Sequence, residues 1–267
     1  MRRMQTAVVV FALGMGLGAP AGAQTAGAKS AEVILQSYVE DFRKDPSAER
    51  FPLTFGVRVR GEGGGEWHVT VSKKEKGEVA EVVLKRGFPE TPTAYFTLDM
   101  ESLQKFNRSE MNALTAMARA RSTDPTPMDV ECMPGYTLAP DFFSQFVPLT
   151  FHFWTRGTPE VTSFGKSYSR VSHGANMVVL YYQKGLRSAW GMVERGQHIN
   201  QGEKDQTNPF PSMFVAIRGK MMAKIGGKEF ELRAGQMLFV PPGVAHEFWN
   251  PNDDPCEIVL VMFGEGA

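Results

Sequence analysis

The chain has 267 residues, of which 42% are hydrophobic and 22% charged, as in an ordinary globular protein. Lysine and arginine together number 29, and so do aspartate and glutamate, so the net charge at neutral pH is zero. This balance provides no basic surface for nucleic acid or anionic lipid, and we predict no nucleic-acid partner. The length allows one large or two small domains.

The first 23 residues are predicted to be a signal peptide. Arg2 and Arg3 form a positively charged n-region, and residues 7–17 form an apolar stretch that is too short for a stable membrane anchor. Residues 21–23 (AGA) offer a cleavage site. This segment holds two of the 29 basic residues and none of the 29 acidic ones, so the mature chain has a net charge of −2 and no further membrane-spanning run. We expect an exported protein, periplasmic if the source is a Gram-negative bacterium. A retained membrane anchor is the alternative.

Two cysteines, Cys132 and Cys256, would meet an oxidising compartment after export. The sequence does not place them close in space, and a disulfide needs a short distance between them. Two interpretations therefore stay open, a Cys132–Cys256 disulfide or two separate buried thiols.

Residues 24–156 are predicted to form an α+β domain, an antiparallel sheet with helices. Apolar side chains recur at helical spacing over residues 30–43, with Ser30 as a candidate cap and Val33 on the apolar side. Strands follow by alternation, and the glycine-rich GEGGGE between the first two predicts a turn. We expect strands at residues 51–60, 66–73, 79–85 and 93–98, then one or two helices over residues 100–120.

The order of these elements resembles the sterol-carrier-protein-2 (SCP2) type of lipid-binding domain. The resemblance covers residues 31–154 and includes GGGEWHVTV, the strand-to-helix step TAYFTLDMESL and a methionine-rich helix. It implies a sheet with helices laid over it that enclose an apolar tunnel. Phe106, Met111 and Met117 are then either adaptable lining for a lipid or simply core. The chain departs from that family at STDPTPMDVECMPGY, which has three prolines and no clear strand.

Residues 139–154, APDFFSQFVPLTFHFW, are the most aromatic stretch of the chain. Because proline interrupts helices, Pro148 predicts a short helix over residues 140–147 followed by an extended piece. We interpret His152 as a buried, hydrogen-bonded histidine rather than a ligand. A change in composition near residues 157–159 predicts the domain boundary.

Residues 157–267 are predicted to form an all-β domain. Short apolar or alternating segments are separated by turn signals, with almost no helical pattern. We expect strands at residues 161–171, 176–183, 187–194, 213–222, 229–232, 237–240, 245–249 and 257–263. This number of strands favours a closed barrel, which removes exposed strand edges.

The strongest motif of the chain lies at residues 235–250, GQMLFVPPGVAHEFWN. A buried apolar strand leads into a turn made rigid by proline and glycine, and a second strand returns. By the two-residue period of a strand, His246, Phe248 and Asn250 share one face. If that face lines a barrel, the imidazole points into the interior.

The spacing within this segment resembles the second conserved motif of the cupins, G-x5-P-x-G-x2-H-x3-N. It matches at every position, namely Gly235, Pro241, Gly243, His246 and Asn250. The resemblance covers roughly the last hundred residues and implies a small antiparallel β-barrel open at one end. It also implies that the histidine helps to bind a divalent metal and that two barrels can pair as a homodimer.

The first conserved motif of the cupins, which supplies two histidines and a glutamate to the metal, is not matched. Anchoring it on Gly219 places Gln206 and Asn208 at the histidine positions and Ser212 at the glutamate position. Amides are poor ligands for a first-row metal ion, so we expect a degenerate metal site.

Three interpretations of this interior stay open. The substituted polar residues and His246 can form a metal-free pocket that offers mixed donors and acceptors to a ligand. Alternatively, His198 joins His246 and a loop carboxylate, Glu203 or Asp205, to bind Fe, Mn, Ni or Zn. In the third interpretation, His246 is only a hydrogen-bonded imidazole inside the barrel.

Three functions are compatible with these features. The first is an exported, non-catalytic protein that binds a small apolar or amphipathic ligand, a small molecule or a lipid. The second is a metal-dependent cupin enzyme, an oxygenase or isomerase, that uses His246 with non-standard ligands. The third is a structural or sensory module that dimerises through its barrel. The missing metal ligands, together with two folds that both enclose cavities, favour the first.

Overall fold

The computed structural model describes residues 29–72, 80–119, 124–138, 142–155, 162–202 and 207–267. None of the helices in these ranges is long and apolar enough to cross a membrane. Several sequence predictions lie outside the described residues, namely the signal peptide at residues 1–23, the boundary at residues 157–159, and Glu203, Asp205 and Gln206.

The first domain is a five-stranded sheet with helices packed against it. Its strands are β1 (Thr54–Arg60), β2 (Gly65–Ser72), β3 (Glu81–Arg86), β4 (Ala94–Asp99) and β5 (Met128–Cys132). Its helices are α1 (Ala31–Phe42), α2 (Met100–Asn107), α3 (Ala113–Met117) and α4 (Phe142–Trp154). The sheet order is β3-β2-β1-β4-β5, in which β1 and β4 are parallel and the other pairs antiparallel. These elements confirm an α+β domain.

Side-chain caps fix the start of three helices. Ser30, Asp99 and Asn112 precede α1, α2 and α3, and each accepts a hydrogen bond from the backbone N–H three residues later. Such a bond satisfies one of the N–H groups that a helix start leaves without a partner. The cap predicted at Ser30 is confirmed, whereas Val33, predicted on the buried side of α1, is exposed.

Two further predictions about this domain are wrong. The segment expected to lack a strand forms β5 and pairs with β4, because its three prolines lie outside the paired residues. Helix α4 does not end before Pro148 but continues to Trp154. A proline inside a helix costs about 3 kcal/mol, but burying a large apolar side chain stabilises by about 1.5–3 kcal/mol. Three buried side chains of α4 offset that cost, Phe146, Leu149 and Phe153.

The interior of this domain is largely aromatic. The ring of Phe153 lies 5.0–5.9 Å from four others, those of Trp154, Phe55, Phe42 and Tyr38. Most of these pairs are edge-to-face, the geometry that aromatic rings prefer. Next to this cluster, Nδ1 of His152 lies 3.1 Å from Oδ2 of the buried Asp45, which confirms the predicted hydrogen bond, but His152 is half-buried and not buried as predicted.

The second domain consists of two antiparallel sheets. Its strands are β6 (Arg170–Ser172), β7 (Ala175–Gln183), β8 (Leu186–Val193), β9 (His198–Ile199), β10 (Ser212–Arg218), β11 (Lys220–Ile225), β12 (Lys228–Arg233), β13 (Met237–Val240), β14 (His246–Trp249) and β15 (Cys256–Phe263). One sheet has the order β13-β10-β15-β8-β7-β6 and the other β12-β11-β14-β9. The all-β prediction is confirmed, and closure of the barrel stays a prediction.

Gly219 explains why one predicted strand is in fact two. Residues 213–222 were expected to be a single strand, but β10 and β11 belong to different sheets and meet at this glycine. Its φ of +68° lies in the left-handed region, and a Cβ here would lie 2.3 Å from the carbonyl oxygen of Pro255. Only glycine fits such a turn.

The two cysteines are both free. Cys132 is exposed on β5, at the edge of the first sheet, whereas Cys256 is buried in the core of the second domain. The disulfide interpretation is therefore wrong, and so is burial of both thiols. Burial raises the pKa of the Cys256 thiol to about 11, which keeps it protonated and unreactive.

The two domains meet where α3 packs against β7. The side-chain amide of Asn112 donates to the carbonyl of Val179, and the N–H of Val179 donates to the hydroxyl of Thr115, both at 2.8 Å. Strand β6 pairs with β7 only as far as Met177, so these side chains take the place of a neighbouring strand at Val179. Arg170 also donates to the carbonyl of Thr115.

Candidate functional site in the second domain

His246 begins β14, and its side chain lies inside the second domain. It is 5% exposed, and Phe248 and Asn250 are buried with it, which confirms that the three residues share an inward face. The imidazole centroid lies 6.0 Å from the ring centroids of both Phe214 and Phe248, and those two rings are 4.2 Å apart. The surroundings of the imidazole are therefore mainly apolar.

The protonation state of His246 follows from these surroundings. Burial lowers its pKa, because the charged form loses solvation, and a hydrogen bond to the carbonyl of Val244 only partly opposes this. Nδ1 lies 3.1 Å from that carbonyl oxygen, which can only accept, so Nδ1 carries the proton. In the neutral ring Nε2 is then an acceptor, and it has no hydrogen-bond partner among the described residues.

Ser212, at the position where the cupin motif has glutamate, begins β10. It is 1% exposed and pairs with Val240 of β13 and Met262 of β15. Alternation along β10 places its side chain on the same face as Phe214, whose ring lies beside His246. The hydroxyl is buried and makes no hydrogen bond within the described chain. Leaving such a group without a partner costs about 1–3 kcal/mol, so a bound molecule that pairs with it would be stabilising.

Asn208 lies close to the turn of the second motif. Its backbone carbonyl accepts a hydrogen bond of 2.7 Å from the N–H of Gly243, and its side chain is half-buried. This bond ties the segment before β10 to the turn before β14. Of the three substituted positions of the first motif, the structure therefore places Asn208 and Ser212 beside elements that carry the second motif.

The other motif residues have structural roles. Gly235 and Gly243 have φ values of +83° and +72°, which favour glycine, and the carbonyl of Pro241 accepts from the Val244 N–H within the turn. The Asn250 amide donates to the carbonyls of Val193 and Asp254, each at 2.8 Å. It therefore ties the end of β14 to β8 and to the loop before β15.

His198 faces away from this interior. It pairs with Trp249, with ring centroids 5.4 Å apart, and its Nε2 lies 3.2 Å from Oε2 of Glu247. Successive residues of a strand point to opposite faces, so Glu247 and Trp249 lie outside while His246 points inside. The predicted joining of His198 and His246 at one metal site is therefore wrong.

The donors around His246 that the structure describes do not by themselves form a site for a divalent metal ion. No group of three or more His, Cys, Asp or Glu side chains in the described part of the chain is placed to hold one. A first-row ion is held by several imidazole, thiolate or carboxylate ligands, whereas the described neighbours of this imidazole are phenyl rings. No reaction step through a metal follows from these residues.

Residues 197–262 match the family model of the cupin domain. These residues are a cupin domain. The match runs from just before β9 almost to the end of β15, so it includes the interior around His246 and Ser212 and none of the first domain. A search of curated proteins gives no match to the chain.

Solved structures from three organisms are examples of proteins similar to part of the chain. A Cupin 2 conserved barrel domain protein from Salinispora arenicola is 19% identical, with a TM-score of 0.35, and the match covers 40% of this chain and 91% of that one. An RmlC-like cupin family protein from Methanocaldococcus jannaschii is 17% identical, with a TM-score of 0.33 and coverages of 40% and 92%. KdgF from Halomonas sp. is 16% identical, with a TM-score of 0.31 and coverages of 36% and 86%.

Sequence reasoning missed one part of this site and one other cavity. Phe214 was not singled out, although the alternation of SMFVAIR places it on the same strand face as Ser212. The missed cavity lies between the two domains. Its walls come from both domains, and no sequence motif indicates how two domains dock.

Proposed function

We propose that this protein is an exported, non-catalytic binding protein whose cupin interior holds a small apolar or amphipathic molecule. The observation that carries this proposal is a pair of unused polar atoms in an apolar interior, Nε2 of His246 and the hydroxyl of Ser212. The first accepts a hydrogen bond and the second can donate or accept one. A molecule with an apolar body and one polar end would pair with these atoms and pack against Phe214 and Phe248.

The charge of the site indicates the kind of polar end. Since burial lowers the pKa of His246, its imidazole is neutral at neutral pH. A neutral imidazole and a hydroxyl offer no countercharge to a carboxylate or phosphate. The polar end is therefore an uncharged group that can both donate and accept, such as an alcohol or a primary amide.

The first domain adds a second apolar compartment to this proposal. Its resemblance to SCP2-type domains stays a prediction, and β5 supplies the strand that the sequence pattern lacked. Of the candidate lipid-lining residues, Phe106 is buried, while Met111 and Met117 are partly exposed at the edge of the core. Export likewise stays a prediction that depends on residues 1–23.

The experiment uses the mature protein, purified from an expression host and extracted with organic solvent. We expect mass spectrometry to find a co-purified amphipathic molecule. In a thermal-shift panel of long-chain alcohols, amides and sterols, a ligand at 100 times its Kd stabilises by about 2.7 kcal/mol and raises Tm by roughly 5–10 °C.

Matched variants locate the ligand. His246→Ala and Ser212→Ala remove the two polar atoms and are expected to lose most of the thermal shift. His198→Ala removes a histidine on the opposite face of the same pair of strands, so this variant is expected to keep the thermal shift. An extract without any organic molecule, together with a panel that leaves Tm unchanged, would refute the proposal.

A separate observation supports a homodimer through the cupin domain. On the outer face of β13 and β10, Met237, Phe239 and Ile217 are 54%, 47% and 44% exposed. Strand β13 is an edge strand of its sheet, and an exposed apolar edge invites pairing with another chain. We propose that a second copy of this chain covers it.

Light scattering after size exclusion tests this dimer. The wild-type protein is expected to have the mass of two chains at micromolar concentration, and a Met237→Ser/Phe239→Ser variant that of one. Phe230→Ser serves as the control, because Phe230 is equally exposed but lies on the other sheet. A monomeric wild type would refute the dimer and leave ligand binding untouched.

A further inference from the structure

A cavity of about 140 Å³ lies between the two domains. The first domain contributes aromatic and aliphatic side chains from all four helices, and the second contributes residues 178–180 of β7 together with residues 162, 163 and 168. None of the lining residues belongs to β10 or β14, so this cavity is separate from the cupin interior. Its walls include six large side chains from the first domain, those of Tyr38, Phe106, Met111, Leu114, Phe151 and Trp154.

Contacts on two sides define this cavity. On one side, the hydrogen bonds of Asn112 and Thr115 to the backbone of Val179 fix α3 against β7. On the other, the ring of Phe151 on α4 lies 5.0 Å from that of Tyr181. Between these contacts the register of β7 against β8 shifts, and the bulge lies at the cavity wall. The space is thus bounded by ordered contacts from both domains.

The walls indicate an uncharged occupant. Rings, aliphatic groups and a thioether form most of the lining, and the polar side chains among them are hydroxyls and one amide. No Asp, Glu, Lys, Arg or His occurs among the described residues that line the cavity. The volume is close to the ~150 Å³ of an engineered apolar cavity that binds benzene, so it accommodates about one six-membered ring.

Trp154 provides the specific polar feature. It is 4% exposed, its ring lines the cavity, and its buried indole N–H donates to no described residue. Four aromatic rings surround it at 5.0–5.8 Å, those of Phe153, Tyr38, Phe96 and Phe106. A buried N–H without an acceptor is unfavourable, and a ligand that brings an acceptor removes that penalty.

We propose that this cavity binds a small, uncharged ring compound with one hydrogen-bond acceptor, which accepts from the indole N–H of Trp154. The volume limits the ring, the apolar walls disfavour charge, and the unpaired donor selects an acceptor such as a ketone or ester oxygen. This site is additional to the ligand site proposed in the cupin interior and does not depend on it.

Isothermal titration of the mature protein with three probes tests the proposal. Acetophenone has one ring and a carbonyl, α-methylstyrene has the same shape with a methylene group in place of the oxygen, and benzoate is charged. Acetophenone is expected to bind, α-methylstyrene to bind about tenfold more weakly, and benzoate to give no measurable heat.

Substitutions then assign the site. Trp154→Phe keeps a ring but removes the N–H. In this variant the affinity for acetophenone is expected to fall to that for α-methylstyrene, and the affinity for α-methylstyrene is expected to equal that of the wild type. Trp67→Phe is the matched control, because its indole N–H is also buried without a described partner but lies outside the cavity. Leu114→Trp fills the cavity and abolishes binding of both neutral probes. If circular dichroism shows that the Leu114 variant is unfolded, Met111→Trp is used as the cavity-filling variant in its place.

The outcomes separate this site from the cupin interior. His246→Ala is expected to bind acetophenone as the wild type does. Three results would each overturn the proposal: no binding of acetophenone by the wild type, equal binding of acetophenone and α-methylstyrene, or unchanged binding in the folded filling variant. Loss of binding in His246→Ala with retention in Trp154→Phe would also overturn it, since the probe would then lie in the cupin interior.

Discussion

The regions around His152 and His246 each contain a histidine, half-buried in the first and buried in the second, and the two imidazoles have different partners. His152 lies 3.1 Å from the carboxylate of Asp45, which is supplied by the same domain. His246 has only the carbonyl of Val244 on Nδ1, and its Nε2 has no partner among the described residues. A polar side chain paired within the fold stabilises that fold, whereas a buried polar atom left unpaired marks a place for a ligand.

The largest expected effect concerns the region around His152. Phe153 is fully buried among four aromatic rings, so Phe153→Ala is expected to lower the free energy of unfolding by about 3–5 kcal/mol in urea denaturation. Phe230→Ala, at an exposed position, should change it by less than about 0.5 kcal/mol. A loss below about 1 kcal/mol in the Phe153 variant would mean that this region is loosely packed.

The second prediction compares two buried hydroxyls. Thr115 accepts a hydrogen bond from the N–H of Val179, so Thr115→Val leaves that N–H without an acceptor and is expected to cost about 1–3 kcal/mol. Ser212→Ala removes a hydroxyl that has no described partner, and the ligand-free protein should be equally stable or more stable by about 1 kcal/mol. Both values come from urea denaturation of protein stripped of ligand.

The two substitutions are expected to change the free energy of unfolding in opposite directions, and they are also expected to differ in their effect on ligand binding. Thr115→Val should keep any ligand-induced rise in Tm, whereas Ser212→Ala should lose it. If Ser212→Ala destabilises the ligand-free protein as much as Thr115→Val does, its hydroxyl is paired within the fold, and the contrast between the two regions fails.

The smallest effect concerns pH. Burial lowers the pKa of His246 in the folded chain, while the unfolded chain keeps the ordinary value of 6.5. As the pH falls below 6.5, the unfolded chain binds a proton that the folded chain does not, so the wild type loses stability. His246→Gln lacks this contribution and should lose less Tm between about pH 8 and about pH 5. Parallel losses in scanning calorimetry would show that His246 does not titrate differently on folding.

Much of the fold could be predicted from local sequence. The cap at Ser30, the turn at GEGGGE and the alternation along β14 are local signals, and the structure confirms each. The predictions that failed depend on the rest of the fold. Helix α4 continues past Pro148 because its side chains are buried against the rest of the domain. Residues 128–132 form a strand because they pair with β4.

The candidate site could be predicted only in part. The motif spacing located His246, and the two-residue period gave its inward direction. The position of His198 depends on the register of β9 against β14, two strands separated by about fifty residues, which no local pattern fixes. The missing partner of Ser212 and the cavity beside Trp154 likewise depend on packing between distant segments.

Metal content tests the central claim most directly. The mature protein, purified without chelator or affinity metal, would be analysed by inductively coupled plasma mass spectrometry beside His246→Ala. We predict no stoichiometric Fe, Mn, Ni or Zn in either protein, because the donors described around His246 do not suit such an ion. About one metal ion per chain in the wild type, reduced in the variant, would contradict the account and favour a metal-dependent enzyme.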